Sequence, residues 1–495
     1  MPRPASSLAA TSFDRRIRRL VRKAEIPGLA LGLVERNGSR LTRGYGFRDL
    51  AHRLPATSRT VFGLASITKS FTALAVLRLQ ELGVLRVSDR VTRHLPEFRT
   101  PDPRQTAKIT LHHLLTHTSG LPPLPSLFYL WARSERLDPT YDSGAAQRFG
   151  IDSSRPPIDS YEQLLEFLGS EPYRLTGPPG RYFSYSNEGY CLLGAIIERA
   201  GGRTYESCVE EEILRPSGMR STTFDPGILI RFPEVTNLYS TDWRRKRGRL
   251  LASQDWTEDG CARPSGGLRT NIDDMLRYVE IFLRQGRVGR ERIISAESLS
   301  AMLHPHVEPV PGIFYGYGIA VCPDYHGKLL AWHTGAKKGV SSAFAVVPSA
   351  GVGGAVLSNR IGAPADQALE VALNPALGLK PDTPFYPVPE PAAVTPSLTE
   401  YGGWYCSGES NWYKITPKRS ALQVDDRGLP PRSPSFDLKS AGNDNFVTEG
   451  GGRPMWVGFH RDRQRRIVGM SIWFRFVRKR DPLVLAKARR GRMVW

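Results

Sequence analysis

The sequence predicts a mixed α/β domain that is followed by a small all-β domain. The apolar run Gly28–Val34 is joined through Asn37-Gly38 to a second run, Leu41–Phe47. This pattern is typical of a β-hairpin, because Asn-Gly tolerates the positive φ angles of a type I′ turn. Segments with the 3.6-residue period of an amphipathic helix follow. Beyond the proline-rich segment 381–391 only short strand-like runs occur, and this change predicts a domain boundary.

Apolar spacing and capping residues predict the elements of the first domain. A first helix carries the apolar stripe Ile17, Leu20, Val21 and Ala24. A second begins near Ser66 and ends at Gly83. The other predicted helices are Asn187–Gly201, Thr204–Leu214, and one that Thr270 and Asp273 cap and that runs to Gly286. The later strand-like runs are Gly318–Cys322, Lys328–Trp332, Ser341–Val347 and Gly353–Ser358.

We expect three parts along the chain: a first domain over residues 1–380, a linker over 381–394, and a barrel-like domain over 395–495. Strand-like runs in the last part include Trp456–His460, Ile467–Trp473 and Phe474–Val477. The polar segment 122–157 is interpreted as an insertion or a flap, because irregular segments of this length are usually functional or disordered.

Composition excludes several classes of protein. The chain has 495 residues, of which 40% are hydrophobic, so it can bury a core, and disorder is excluded for most of its length. Its 47 Gly and 39 Pro have no period, and its five Cys are scattered, which excludes collagen and disulfide scaffolds and indicates separate reduced thiols. No apolar run is long enough to span a membrane, and no secretory signal is recognised at the start, so we expect a cytoplasmic protein.

The net charge of +20 is concentrated in two places. Residues 461–495 contain 12 Lys/Arg and 2 Asp/Glu, which gives +10, and a second basic stretch is Arg15–Lys23. Attraction to nucleic acid or to an anionic membrane is one interpretation, and solvated surfaces are the other. No nucleic-acid motif accompanies the charge, so no specific nucleic-acid partner is expected.

Ser66 and Lys69 are the first candidates for chemistry. Their spacing of three places the hydroxyl and the amine on one helical face, one turn apart. A serine is a weak nucleophile until a base removes its proton. Lysine can act as that base when burial and neighbouring donors lower its pKa from ~10.4 to near 7.

Two further elements could complete such a site. Tyr185-Ser186-Asn187 precedes a helix, where the hydroxyl could shuttle a proton and the amide could hold a substrate carbonyl. His333-Thr334-Gly335 lies in a predicted strand, where glycine lets a substrate backbone come close.

The order S-x-x-K, Y-x-N, H-T-G resembles that of the serine β-lactamases and penicillin-binding proteins, and its Y-x-N element is similar to the class C β-lactamase and D-alanyl-D-alanine carboxypeptidase branch. The resemblance extends over about residues 12–375 and includes the segments 62–73, 109–121, 183–190, 264–268 and 333–342. It implies an antiparallel sheet flanked by helices, an all-helical lobe, and a serine hydrolase that needs no cofactor. The second domain resembles the lipocalin-like extension of D-aminopeptidases.

The resemblance also implies roles for individual residues. Ser66 would attack a carbonyl and form an acyl-enzyme, while Lys69 takes its proton and Tyr185 relays it. Asn187 would orient the acyl side chain or the lysine amine. The oxyanion hole would be the backbone N–H groups of Ser66 and Ala336, with His333, Thr334 and Gly335 on the substrate-binding strand.

His333 departs from the family pattern, in which β-lactamases and carboxypeptidases have a lysine that meets the substrate carboxylate. A histidine is mostly neutral at pH 7, so the resemblance leaves the substrate open: a small molecule or a peptide, with an amide or an ester bond. D-aminopeptidase and esterase are alternatives within the fold. A catalytically silent scaffold or binding protein is the alternative from another class, although it would not need intact Ser66, Lys69 and Tyr185.

Metal and nucleotide sites are not indicated. His112, His113 and His117 suggest zinc, with His113 and His117 one helical turn apart, but no further ligand has suitable spacing. The Gly316-Tyr-Gly318 segment lacks the glycine and helix of a phosphate loop. The sequence does not indicate an oligomeric state.

Overall fold

The computed structural model describes residues 13–138, 151–152, 154–242, 248–253, 256, 260–387, 390, 392, 397–409, 411–428, 434–449, 453–472 and 474–480. Met1–Ser12, residues 139–150 and 153 of the predicted insertion, and Trp473 and residues 481–495 of the basic C-terminal segment therefore lie outside the described residues.

The first domain is built on a nine-stranded antiparallel sheet with the strand order β10-β11-β12-β13-β14-β15-β1-β2-β3. The hairpin predicted around Asn37-Gly38 lies near one edge of this sheet, and Gly38 has the expected positive φ of 94°. The strands of this domain are Gly28–Glu35 (β1), Arg40–Asp49 (β2), Leu54–Pro55 (β3), Phe62–Gly63 (β4), Leu238–Thr241 (β5), Leu250–Ser253 (β6), Arg269–Thr270 (β7), Arg287–Val288 (β8), Glu291–Arg292 (β9), Val307–Val310 (β10), Ile313–Tyr315 (β11), Ala320–Cys322 (β12), Leu330–Lys337 (β13), Val340–Val347 (β14) and Val352–Ser358 (β15).

Helices cover both faces of the sheet. The described helices are Asp14–Lys23 (α1), Thr68–Glu81 (α2), Val91–His94 (α3), Pro103–Thr106 (α4), Leu111–Leu115 (α5), Ser126–Leu130 (α6), Ala132–Arg136 (α7), Tyr161–Ser170 (α8), Asn187–Gly201 (α9), Tyr205–Val209 (α10), Arg263–Gly266 (α11), Ile272–Leu283 (α12), Ala296–Leu303 (α13) and Ala365–Leu373 (α14). Helices α1 and α14 share one core with the sheet, which includes Ile17 and Leu369. Helix α12 and the helical lobe around α2 and α9 share the other.

Helix α2 shows why sequence periodicity gives little information for a central helix. It has no polar face, and eleven of its fourteen residues are buried. A helix that is buried on nearly all sides lies inside a domain, and α2 lies between the sheet and the lobe. The first turn of this helix therefore starts in the interior of the molecule, where it can position reactive groups.

The second domain is a closed antiparallel barrel of eight strands in sequence order, as the sequence predicted. Its strands are Gly403–Cys406 (β16), Trp412–Pro417 (β17), Leu422–Asp426 (β18), Phe436–Gly442 (β19), Asn445–Glu449 (β20), Trp456–Arg461 (β21), Ile467–Ile472 (β22) and Arg475–Arg480 (β23). Buried side chains such as Tyr405, Phe446 and Met470 pack in its core.

The barrel packs against the first domain. Cys406 and Trp412 belong to the apolar core of that domain, and the backbone N–H of Gly408 donates to the carbonyl of Pro123 at 3.0 Å. The Arg478 guanidinium donates to the carbonyl of Leu175 at 2.7 Å. Since Pro123 lies in the predicted insertion, this described part of 122–157 is in contact with the barrel, and the role of the segment as a flap stays a prediction.

Most predicted elements are present, with differences at their ends. Asn271, rather than Thr270, caps α12, because its side chain accepts from the N–H of Asp274. The segment predicted as one helix over Thr204–Leu214 is α10 followed by a π-helical turn, Glu210–Leu214. Among the described residues, no helix is both long and apolar enough to cross a membrane.

Candidate active site

Ser66 lies in a single 3₁₀ turn, Ala65–Ile67, that leads into α2. Ala65 has a φ of 47°, which is unusual for a residue with a side chain and is tolerated where the surroundings fix the backbone. Here the preceding residue is held on both sides: the N–H of Leu64 donates to the carbonyl of Leu268, and its carbonyl accepts from the Ser342 hydroxyl. The turn leaves Ser66 half-buried at the start of the helix.

Lys69 is completely buried, and its amine is surrounded by oxygen atoms. The Nζ atom lies 3.2 Å from Ser66 Oγ, 2.8 Å from Asn187 Oδ1 and 2.6 Å from the carbonyl oxygen of Ser265. Burial, with a smaller contribution from the positive Arg475, lowers the pKa of this amine to about 7. Near neutral pH a substantial fraction of Lys69 is therefore an uncharged base in contact with a hydroxyl.

The Tyr185–Asn187 segment approaches Ser66 from the start of α9. Ser186 caps this helix by accepting from the N–H of Gly189, which fixes Asn187 in the first turn. The Tyr185 hydroxyl interacts with the Ser66 side chain, and Lys69 Nζ lies 4.8 Å from the centroid of the Tyr185 ring. Burial raises the pKa of Tyr185, although its contact with Ser66 and the charge of Arg475 oppose that rise. Tyr185 is thus a protonated phenol at neutral pH.

Strand β13 runs directly beside the serine turn. A Cβ atom on Gly335 would lie 2.1 Å from the carbonyl oxygen of Leu64, 2.4 Å from Ser342 Oγ and 3.1 Å from the nitrogen of Ser66. Only glycine allows the two segments to come this close. Thr334 and Ala336, on either side of Gly335, are exposed at the site.

His333, in contrast, is buried and belongs to a chain of hydrogen bonds. Its Nδ1 lies 2.6 Å from the carbonyl oxygen of Thr334, and its Nε2 lies 3.0 Å from the Tyr315 hydroxyl. Because a carbonyl can only accept, Nδ1 carries the proton and Nε2 accepts from Tyr315. Burial and the charge of Lys69 lower the pKa of His333 to about 3, so that it is neutral.

His117 continues this chain towards the tyrosine segment. The N–H of Ser186 donates to His117 Nδ1 at 3.0 Å, which leaves the proton on Nε2, 3.3 Å from the Tyr315 hydroxyl. The His117 ring also lies under Tyr185, with 4.2 Å between the ring centroids. Two neutral histidines and one tyrosine thus connect Tyr185–Asn187 with β13.

The barrel contributes the remaining side chains. The carbonyl of Phe474 accepts from the N–H of Tyr185 at 3.0 Å, and the guanidinium carbon of Arg475 lies 4.6 Å from the centroid of the Tyr185 ring. Arg475 Nε donates to Glu409 Oε2 at 2.6 Å. The side chains of Arg475 and Glu409 are 17% and 5% exposed, so this is an ion pair largely removed from water.

Several of these residues are not recognisable in the sequence. Arg475 and Glu409 belong to the barrel and have no motif around them, and Tyr315 precedes the H-T-G element by eighteen residues. Ser265 is an exception, because it lies in the segment 264–268 whose sequence resembles the family. Sequence periodicity could not have placed any of them near Ser66.

The three histidines that suggested zinc do not share one helix, although the rings of His112 and His113 lie 5.6 Å apart. Helix α5 ends at Leu115, so His113 and His117 are not on one helix, and His117 has a φ of 56°. His113 instead takes part in the capping of α5 through Thr110. Within the described ranges, no group of three or more His, Cys, Asp or Glu side chains could hold a metal ion.

Comparisons with known proteins agree with this arrangement. Protein flp of Staphylococcus aureus (strain MW2) is 30% identical over 212 residues, which are 43% of this chain and 38% of that protein. Penicillin-binding protein 4* of Bacillus subtilis (strain 168) is 32% identical over 178 residues, which are 36% and 34% of the two chains. The alignments thus span well under half of these relatives.

Solved structures align with both domains. The octameric penicillin-binding protein homologue from Pyrococcus abyssi is 25% identical and aligns with a TM-score of 0.65 over 94% of this chain and 99% of its own. The family model described as Beta-lactamase matches residues 13–375, which include Ser66, Lys69, Tyr185 and His333. This chain therefore belongs to the beta-lactamase family.

Proposed function

We propose that the protein hydrolyses an amide or ester bond of a small or peptidic substrate through an acyl-enzyme on Ser66. The observation that carries this proposal is the buried Lys69 amine, 3.2 Å from Ser66 Oγ and with a pKa of about 7. When neutral, the amine has two N–H donors for Asn187 and Ser265 and one lone pair for the serine proton. Lys69 is then the general base of acylation.

Tyr185 completes the path of the proton. Its phenol interacts with the Ser66 side chain, and in this role it passes a proton from Lys69 to the leaving group as the acyl-enzyme forms. In the second step the same pair activates the water molecule that releases the acyl group. Asn187 holds the Lys69 amine in place through its side-chain oxygen.

The oxyanion hole in this proposal consists of the backbone N–H groups of Ser66 and Ala336. The close approach at Gly335 supports it, because it brings β13 alongside the serine turn. Loss of one such donor typically costs ~10²–10³-fold in rate. Thr334 and Ala336 are exposed at this edge, where a substrate backbone can pair with the strand.

Within this class of enzyme, the position of the barrel favours short substrates over long peptides, which agrees with the esterase alternative. Phe474 and Arg475 occupy space beside Tyr185 that a long peptide would need. The scaffold alternative is disfavoured by the Lys69 amine, because burying a lysine among three oxygen atoms has a large desolvation cost that a binding protein has no need to meet.

Labelling with a fluorophosphonate probe, followed by intact-mass measurement, tests the proposal. We expect one adduct on the native protein, one on Ser70→Ala and none on Ser66→Ala. Ser70 is the matched control, since it lies in the same helix but donates to the Ile67 carbonyl away from the site. An adduct that persists in Ser66→Ala, or no adduct between pH 6 and 9 on folded protein, would overturn the proposal and support the scaffold reading.

A further inference from the structure

We propose that Arg475 of the C-terminal barrel is the receptor for a carboxylate of the substrate. This inference rests on the proposed function, since it specifies the substrate of the same site. It makes the barrel a part of substrate recognition, and it selects acyl groups that carry a free carboxylate close to the bond to be cleaved.

The guanidinium of Arg475 has one occupied edge and one free edge. Its Nε donates to Glu409, and its guanidinium carbon lies over the ring of Tyr185. Among the residues that the structure describes, neither Nη atom has a hydrogen-bond partner. Two Nη donors of one guanidinium match the two oxygen atoms of a carboxylate, which is the arrangement that distinguishes arginine from lysine in recognition.

The other basic groups beside Tyr185 are already occupied. Lys69 is in contact with three oxygen atoms and, in the proposed mechanism, must be neutral to accept a proton. Both nitrogens of His333 are engaged, with Thr334 and Tyr315, and the ring is buried. An anionic group that enters the site can therefore bind to the guanidinium of Arg475.

Arg475 is also held in a fixed position. Glu409 fixes Nε, and the hydrogen bond between Phe474 and Tyr185 fixes the backbone just before it. A donor that is oriented before the substrate arrives loses little entropy when the substrate binds. Tyr185 contacts Ser66 at its hydroxyl and Arg475 at its ring, so the carboxylate and the scissile carbonyl are separated by about the length of one tyrosine side chain.

Two esters of equal shape test this proposal: mono-4-nitrophenyl adipate and 4-nitrophenyl 6-methylheptanoate, in which an isopropyl group replaces the carboxylate. After subtraction of spontaneous hydrolysis, we expect the native protein to prefer the adipate in kcat/KM. In Arg475→Gln the ratio of the two kcat/KM values should fall about 10- to 100-fold. Because both esters are measured on the same variant, this ratio is independent of any effect that the lost charge has on Lys69. Arg475→Lys should retain part of the preference.

Arg478→Gln is the control. Arg478 is in the same strand and also contacts the first domain, through the Leu175 carbonyl, so this variant reports the effect of a weakened domain contact alone. It should leave the preference unchanged. The proposal is overturned if the native protein shows no preference for the adipate or if Arg475→Gln keeps the preference. It is also overturned if kcat/KM falls by the same factor for both esters in that variant.

A binding measurement separates this proposal from the hydrolase proposal. In calorimetric titrations with monomethyl adipate, Ser66→Ala should bind at least ~10-fold more tightly than Ser66→Ala combined with Arg475→Gln. Equal affinities, or no binding, would overturn the role of Arg475 whatever the labelling of Ser66 shows. If the fluorophosphonate probe does not label Ser66 but the difference in affinity is observed, only the hydrolase proposal is overturned.

Discussion

The backbone N–H of Tyr185 donates a hydrogen bond to the carbonyl of Phe474, at 3.0 Å, and so connects the first domain to the barrel beside Ser66. Phe474 has a φ of 62°, in the left-handed region, and this turn directs Arg475 towards the Tyr185 ring. The barrel is thus one wall of the site.

The rate of hydrolysis should depend on pH through Lys69. The neutral amine is the base, and its pKa of about 7 means that kcat/KM for a neutral ester rises as pH increases through 7. Below this range, activity should fall about tenfold per pH unit. Steady-state rates between pH 5 and 8.5 measure this profile, with buffer-only hydrolysis subtracted. A flat profile across pH 5.5–8 would contradict the role of Lys69.

Gly335→Ala should lower activity strongly. The new Cβ would lie 2.1 Å from the Leu64 carbonyl, so β13 must move away from the serine turn. A displacement of this order next to reacting groups can cost about 10²-fold in kcat/KM. Gly201→Ala is the matched control, because its Cβ would meet only Leu79 Cδ1, at 4.0 Å. Comparable activity of the two variants would show that the close approach is not needed for catalysis.

Acid should destabilise the protein through the buried histidines. Folding lowers the pKa of His333 from 6.5 to about 3 and that of His117 well below 6.5, so below pH 6.5 the unfolded chain binds protons that the folded chain does not. The contribution of these two neutral histidines to the stability of the folded protein is fully present above pH 6.5 and decreases as pH falls below that value. The free energy of unfolding should drop by up to ~1.4 kcal/mol per pH unit for each histidine. Urea unfolding at pH 5 and 7.5 tests this, and His333→Gln should reduce the difference.

The pair of Glu370 and Arg453 should stabilise the contact between the domains. Glu370 is completely buried in α14, accepts from the N–H of Phe385, and forms an ion pair with Arg453 of the barrel domain. Arg453→Met should reduce the free energy of unfolding by about 1–3 kcal/mol, because it leaves a buried carboxyl without its partner. Lys439→Met, which removes an exposed pair with Glu449, should change it by less than ~0.5 kcal/mol. Thermal unfolding that is unchanged in Arg453→Met would count against this docking role.

Local sequence patterns predicted the parts of the molecule whose interactions are local. The β1–β2 hairpin and α9 were predictable from a turn dipeptide, apolar spacing and glycines at the end of the helix. Ser66 and Lys69 were predictable as a pair, because their spacing already places them one turn apart. The resemblance to a known family then supplied Tyr185, Asn187 and His333 as members of one site.

Contacts between distant parts of the chain were not predictable in this way. Lys69 meets Asn187 across 118 residues and Ser265 across 196, and neither distance follows from periodicity. His333 could be identified as a departure from lysine, but its burial and its bond to Tyr315 depend on tertiary packing. Arg475 is the clearest example. The sequence pattern of a basic strand is the same whether its side chains face water or an active site, so the pattern could not place Arg475.

The position of Arg475 in β23 also determines when the site can form during synthesis. Ser66, Lys69, Tyr185 and His333 are synthesised well before β23. This last strand must pair with β16 to close the barrel. A nascent chain can thus fold its larger domain while the wall beside Tyr185 is still missing. The substrate selectivity of the finished protein would then be acquired as one of the last events of folding.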